Sequence, residues 1–314
     1  MVNKFQSSLY KALKYISLNG AKLCYFDGNK IYSSHNDVIL CHEIEQDLTG
    51  CFNIEILMKA LDKFGESVTW IELKEILQLK NNNLQINIQN DESYSIHMPM
   101  VERMNWKDAE SFIESIQMLH KVPTKSGESL LTSFHCSGNT LWVTNRRCIL
   151  ESWHGLNLPK FSFSRECGQT IFKIKPRISE ICVIDKHVIF KFNDICYLSS
   201  SLIKVDEFDH QQFFETENEL SVNDELKNGL NEVLYCHGET IEFSSNRLSS
   251  GPSNYNIDLS ITTISFYSEE MKYFCKYGDY FTIDEERFIF ANEENTFRGV
   301  VSKFYDGKEE DEND

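Results

Sequence analysis

Lysine side chains at helical spacing are the most regular source of chemistry in this sequence. Lys4, Lys11 and Lys14 follow one another at intervals of seven and three, and Lys59 and Lys63 stand four apart, as do Lys272 and Lys276. Each of these intervals gathers ammonium groups on one helical face. Lys227 falls in a further helical pattern, Lys121 and Lys125 just follow another, and Lys175 and Arg177 flank Pro176. A cationic face of this kind is either ordinary solvated surface or a surface that neutralises a polyanion. Spacing alone leaves both readings open.

Covalent chemistry has less support. The chain contains no GxGxxG, GxxxxGK[ST], HExxH or GxSxG pattern, so nothing prepares a phosphate cradle, a zinc site or a nucleophile elbow. Cys41-His42-Glu43 and His135-Cys136 hold metal-ligand types, but adjacent residues on a strand point to opposite faces. Asp284-Glu285-Glu286 reads as a solvated turn between two strands rather than a catalytic acid cluster. A non-enzymatic protein without cofactor or metal is expected. Ten cysteines without a CxxC pair fit a reduced, cytoplasmic compartment. No run approaches the ~20 apolar residues that a membrane helix needs. A net charge of -17 argues against a uniformly basic nucleic-acid coat, while a local basic patch stays compatible with it.

The elements that must carry these residues repeat along the chain, and at 314 residues two or three domains are expected. Gly28-Asn29-Lys30-Ile31-Tyr32-Ser33-Ser34 recurs as Gly138-Asn139-Thr140-Leu141-Trp142-Val143-Thr144, and more weakly as Gly238-Glu239-Thr240-Ile241-Glu242-Phe243-Ser244. Each glycine is expected in a hairpin turn, with an alternating strand after it. A helix precedes each copy, marked by Phe5, Leu9, Leu13 and Ile16, by Phe112, Ile116 and Leu119, and by Leu226, Leu230 and Val233. A second helix follows: residues 54–64 capped by Asn53 and residues 269–277 capped by Ser268. In the middle copy a short helix from Pro176 competes with a strand over 181–184. Closing strands are expected at 84–88 with 93–98, 188–192 with 195–201, and 288–291 with 297–303. The class is α+β, with three similar domains at 1–104, 105–216 and 217–305, each having two helices packed on antiparallel sheet. Residues 306–314, with six acidic residues and one lysine, form a tail for which disorder is expected.

This order of elements resembles the DNA sliding clamps, above all the three-domain bacterial β clamp and its phage relatives. Residues Leu141 to Ile149, with Thr144-Asn145-Arg146-Arg147, resemble the family's strand ending in Thr-Asp-Gly-His-Arg-Leu. Ser200-Ser201-Leu202-Ile203 through Phe208-Asp209 resembles its Ser-Lys-Leu-Ile to Phe-Pro-Asp segment, and residues 297–303 stand where its last strand lies. The proline is missing, Asn145-Arg146 replaces Asp-Gly, and an acidic extension replaces a short apolar end; this divergence points to a phage or virus, and so to a host cytoplasm.

The resemblance implies a processivity factor that closes as a homodimeric ring around duplex DNA, without base readout. Lys4, Lys11, Lys14, Lys59, Lys63, Lys121, Lys125, Lys175, Arg177, Lys227, Lys272 and Lys276 would then face the phosphates. It also implies a cleft that takes a short peptide of a DNA polymerase or clamp loader, made by Thr144, Arg147, Ile149, Phe208, Gln211, Val300 and Val301. With no ATP site in the chain, the loader would be a separate ATPase. The rival readings are a duplicated-domain protein scaffold without DNA and an open-arc, monomeric polymerase subunit.

Overall fold

A computed structural model describes residues 2–64, 69–73, 75–81, 83–91, 96, 98–99, 104–175, 179–218, 221–222, 224–235, 238–259 and 261–305. The first part of the chain runs α1 (Val2–Ile16), β1 (Leu23–His35), β2 (Val38–Asn53), α2 (Ile54–Phe64), β3 (Thr69–Leu73), β4 (Ile76–Lys80), β5 (Gln85–Gln89), β6 (Lys107–Asp108) and α3 (Glu110–Leu119). The middle runs β7 (Ser133–Ser137), β8 (Thr140–Thr144), β9 (Cys148–Trp153), β10 (Phe161–Ser164), α4 (Arg165–Ile174), β11 (Ser179–Ile184), β12 (His187–Phe192) and β13 (Cys196–Ser201). A 3-10 turn (Gln211–Phe214) leads to β14 (Ser221–Val222), α5 (Asp224–Leu234), β15 (Thr240–Ser244), β16 (Arg247–Ser250), β17 (Ser253–Asn256), β18 (Ile264–Tyr267), α6 (Ser268–Tyr277), β19 (Tyr280–Ile283), β20 (Arg287–Ala291) and β21 (Phe297–Ser302).

These elements form two compact units. The first comprises Met1–His120 with Phe161–Ile203, and the second Lys121–Lys160 with Lys204–Asp314. This division differs from that of the three repeats because sheets run on past the repeat boundaries. In the first unit an antiparallel sheet has the order β1-β2-β13-β12-β11-β6, so strands of the first and middle repeats share hydrogen bonds. A second sheet is β3-β4-β5. The apolar stripe of α1 (Leu9, Ala12, Leu13, Ile16) is fully buried, and the helix packs on β1, β2 and α2. Helices α3 and α4 pack on each other, with Phe112, Ile116, Leu119, Cys167 and Ile171 inward. Each such Leu, Ile or Phe contributes roughly 1.5–3 kcal/mol of transfer free energy.

In the second unit seven strands run β7-β8-β9-β21-β20-β19-β14, and four run β17-β16-β15-β18. Helix α5 turns Leu226, Leu230 and Val233 inward and packs on α6 and on β16 and β17. The expected strand pairs over 188–192 and 195–201 and over 288–291 and 297–303 are β12 with β13 and β20 with β21.

Several expectations need correction. Gly28, at φ +62°, lies inside β1 at a shift of register, and the β1–β2 turn is Asn36-Asp37, both at positive φ. Gly138 does occupy the β7–β8 turn at φ +73°. Gly238 has no positive φ; a Cβ there would collide with the Ser250 hydroxyl and come 2.9 Å from the Gly251 nitrogen, so close approach selects it. Asn53 caps α2, accepting from the Ile56 N–H at 3.1 Å, whereas Ser268 is the first residue of α6 and its buried hydroxyl has no partner. Pro176 falls outside the described residues, and the competing strand over 181–184 is present as part of β11. The second helix of the middle repeat is α4, capped by Ser164, whose Oγ accepts from the Cys167 N–H. Its stripe, Cys167, Ile171 and Ile174 at spacings of four and three, was overlooked. Strands β3 and β4 were also missed. The expected strand over 93–98, Arg177, and the tail at 306–314 fall wholly or partly outside the described residues.

Candidate functional site

The middle of the seven-stranded sheet carries the candidate site. Cross-strand register brings Thr144 of β8 opposite Ile149 of β9, Ile149 opposite Val300 of β21, and Val300 opposite Ile289 of β20. Thr144, Ile149 and Val300 of this row floor a cavity of about 470 Å³ within the second unit. Leu130, Leu131, Phe208 and Phe213 wall it, and Glu128, Arg146, Arg147, Glu286, Arg287 and Tyr305 also line it. Arg146 is paired with Glu128 and Arg287 with Asp284, so the rim is of mixed charge, and the apolar interior suits a short apolar segment.

Five of the seven residues expected in the cleft line this cavity: Thr144, Arg147, Ile149, Phe208 and Val300. Val301 is fully buried and follows Val300 on the strand, so it points to the other face. Gln211 stands beside the lining, its side chain donating to Glu151 Oε2 at 2.8 Å. Sequence reasoning missed Leu130, Leu131, Phe213, Arg287 and Tyr305. The first three lie in irregular or 3-10 backbone, where no periodicity marks an inward face.

The β8–β9 turn shapes one edge. Asn145 Oδ1 accepts the N–H groups of Arg147 and Cys148, both at 3.0 Å, and Thr144 Oγ1 donates to the Cys148 carbonyl at 2.8 Å. Asn145 thus closes the turn through its side-chain oxygen. Arg146 occupies φ +74°, the left-handed region that favours the Gly of the resembled motif. The Arg147 guanidinium lies 4.3 Å from the Tyr267 ring centroid. Asn145 Nδ2 also donates to Glu270 of α6 at 3.0 Å.

The next cross-strand row on the same face holds Trp142, Glu151 and Arg298. The Glu151 side chain is only 6% exposed, yet it stays charged. Burial pushes its carboxyl up, but the His210 hydrogen bond and the Arg298 charge outweigh this and hold it below its ordinary value. Trp142 is stacked between His135 and His210, at centroid distances of 4.1 and 4.3 Å. Burial lowers His135 to about 4.

The cations divide by environment. Lys11, Lys14 and Lys63 are exposed on α1 and α2, with Lys14 5.9 Å from the Tyr10 ring. Lys59 is exposed but paired with Glu55, as Lys272 is with Glu269. Lys227 donates to the Gly278 carbonyl at 2.7 Å, at the end of α6. Lys276 is exposed and lies 4.7 Å from the Tyr277 ring, and Lys121, Lys125 and Lys175 are exposed on loops or at a helix end. Lys4 lies in α1; Arg177 is outside the described residues.

Among the described residues, no three His, Cys, Asp or Glu residues are grouped so as to hold a metal ion. Burial pushes thiols such as Cys41 and Cys136 up to about 12, leaving them protonated and poorly nucleophilic. No described helix is long and apolar enough to cross a membrane. A second cavity, beside α2 and β5 in the first unit, is lined by none of the expected site residues.

No protein-family model matches the chain, and no curated protein matches it by sequence. Solved structures do. The DNA polymerase III subunit beta of Pseudomonas aeruginosa is similar with a TM-score of 0.75 at 10% identity, over 96% of this chain and 98% of that one. A putative DNA polymerase III beta subunit from Eubacterium rectale gives 0.76 at 16% identity over 95% and 98% of the two chains. A Helicobacter pylori beta clamp bound to a DNA ligase peptide gives 0.76 at 12% identity over 96% and 98%. The chain therefore has the fold of the bacterial sliding clamps, an α+β architecture, along nearly its whole length.

Proposed function

We propose that the protein is a sliding clamp: a DNA polymerase processivity factor that encircles duplex DNA and tethers replication proteins. The observation that carries this reading is the likeness to bacterial clamps over 96% of this chain and 98% of theirs. Three helix pairs, α1 with α2, α3 with α4 and α5 with α6, support three repeated domains at 1–104, 105–216 and 217–305. Two such chains head to tail would give a closed ring of six domains, in which edge strands are covered by pairing. The exposed lysines of the helices supply phosphate contacts that carry no sequence information, which is what sliding requires.

The cavity of the second unit receives the partners. A DNA ligase peptide bound to the Helicobacter pylori clamp supports a short peptide as ligand, and the apolar floor with its rim of mixed charge fits one. Polymerase and loader would take turns there. The protein acts as a binding scaffold in the cytoplasm, and the loader supplies the ATP chemistry.

Solution mass by light scattering across a concentration series tests the ring. A stable dimer, at twice 36.6 kDa, is expected. A monomer at every concentration would instead favour an open arc bound to one polymerase.

A further inference from the structure

The row beside the cavity floor contains a charged group that the peptide-cleft reading leaves unused. Trp142, Glu151 and Arg298 stand on the same strand face as Thr144, Ile149 and Val300, one cross-strand row away. Burying a carboxylate in a sheet row that apolar residues could fill is unfavourable unless its oxygens are satisfied. Here both are. Glu151 Oε2 accepts from His210 Nε2 at 2.6 Å and Gln211 Nε2 at 2.8 Å, and Oε1 takes Arg298 Nε at 2.9 Å and Nη2 at 2.7 Å.

What these contacts hold is a wall of the cavity. His210 and Gln211 sit between Phe208 and Phe213, the two phenylalanines of the lining, whose rings are stacked at 5.6 Å. His210 also stacks on Trp142, and on the other face of that indole His135 contacts the carbonyl of Leu130, another lining residue, at 2.9 Å. Arg298 lies 4.1 Å from the Phe214 ring. The segment pairs with no strand: Glu151 and the Trp142 stack hold its start at His210 and Gln211, while Arg287, donating to the Phe213 carbonyl at 3.0 Å and the Glu215 carbonyl at 3.3 Å, holds its end.

We propose that Glu151 is a positioning residue for the cavity: by holding His210 and Gln211 it sets where Phe208 and Phe213 stand over the Thr144–Ile149–Val300 floor, and so sets partner affinity without touching the partner. This rests on the reading of the cavity as a peptide site. Gln211 then acts on Glu151 rather than on the peptide. Restricting this wall before binding lowers the ordering cost that a partner meets.

The test uses the full chain and, as probe, a fluorescein-labelled hexapeptide of leucine and phenylalanine flanked by aspartates, read by anisotropy. Glu151→Gln keeps the shape and loses the charge. His210→Phe keeps the stack on Trp142 and loses the hydrogen bond, so it carries the test if the first variant folds poorly by its urea midpoint. Each should weaken the probe by about tenfold. A cycle with Phe208→Ala separates positioning from general damage: Glu151→Gln should add little once Phe208 is gone, but should multiply with Val300→Ala. Unchanged affinity in both single variants, or full multiplication with Phe208→Ala, overturns the positioning role while leaving the peptide site intact. Failure of the unaltered chain to bind the probe overturns the peptide site itself, and the positioning role with it.

Discussion

Replacing Lys11, Lys14 and Lys63 together with glutamine should cut the salt dependence of DNA association by an amount the structure lets us rank. All three are exposed on α1 and α2. Removing one lysine–phosphate pair should lower the slope of log K against log salt by about 0.9. Three such removals give about 2.7, which at 0.1 M salt corresponds to roughly 500-fold weaker binding if affinity extrapolated to 1 M is unchanged. Lys59→Gln should do less, because Lys59 already pairs with Glu55 and must give up that partner to meet a phosphate. Fluorescence titration of a labelled 30-base-pair duplex between 50 and 300 mM salt measures both. An unchanged slope in the triple variant, or a larger effect from Lys59→Gln than from the other three, would refute the assignment of these helices to DNA.

Three further outcomes concern stability. Burial holds His135 and His154 at about 4, below the free value of 6.5, so the unfolded chain takes up protons first as pH falls. Their contribution is complete above about pH 6.5 and is lost towards pH 4, about 2 kcal/mol for each histidine by pH 5; a urea midpoint no lower at pH 5 than at pH 7.5 contradicts this. Gly299→Ala would set a methyl 2.7 Å from Leu150 Cδ2 and into the Phe290 ring, costing about 1–3 kcal/mol or more in urea unfolding. Ser164→Ala removes the α4 cap and should cost about 1 kcal/mol by the same assay.

The repeat was legible because each copy pairs a 3–4-spaced helix with an alternating strand, and Leu9, Phe112 and Leu226 all prove buried in such helices. Asn53 was legible because a cap is a local interaction. What failed depends on distance in sequence. Gly28 looks like a turn glycine, yet β1 continues through it because β2 pairs with β1 on both sides of the register shift there. Helix α4 has only a short stripe, Cys167, Ile171 and Ile174, which packs on α3. At the site, strand register placed Ile149 and Val300 together, and alternation alone should have excluded Val301. Glu151 was invisible: a lone acid among strand residues gains meaning only when His210 and Arg298, far away in the chain, close on it.

Topological retention on DNA tests the ring most directly, and it can be made without a loader. The protein is allowed to thread onto a linear duplex tethered to a bead by one end, the free end is then blocked with a bulky bound protein, and the bead is washed in high salt, which removes electrostatic contacts. A closed clamp stays on the blocked duplex and leaves when a restriction cut reopens the end. Equal loss from blocked and open duplexes would contradict encirclement.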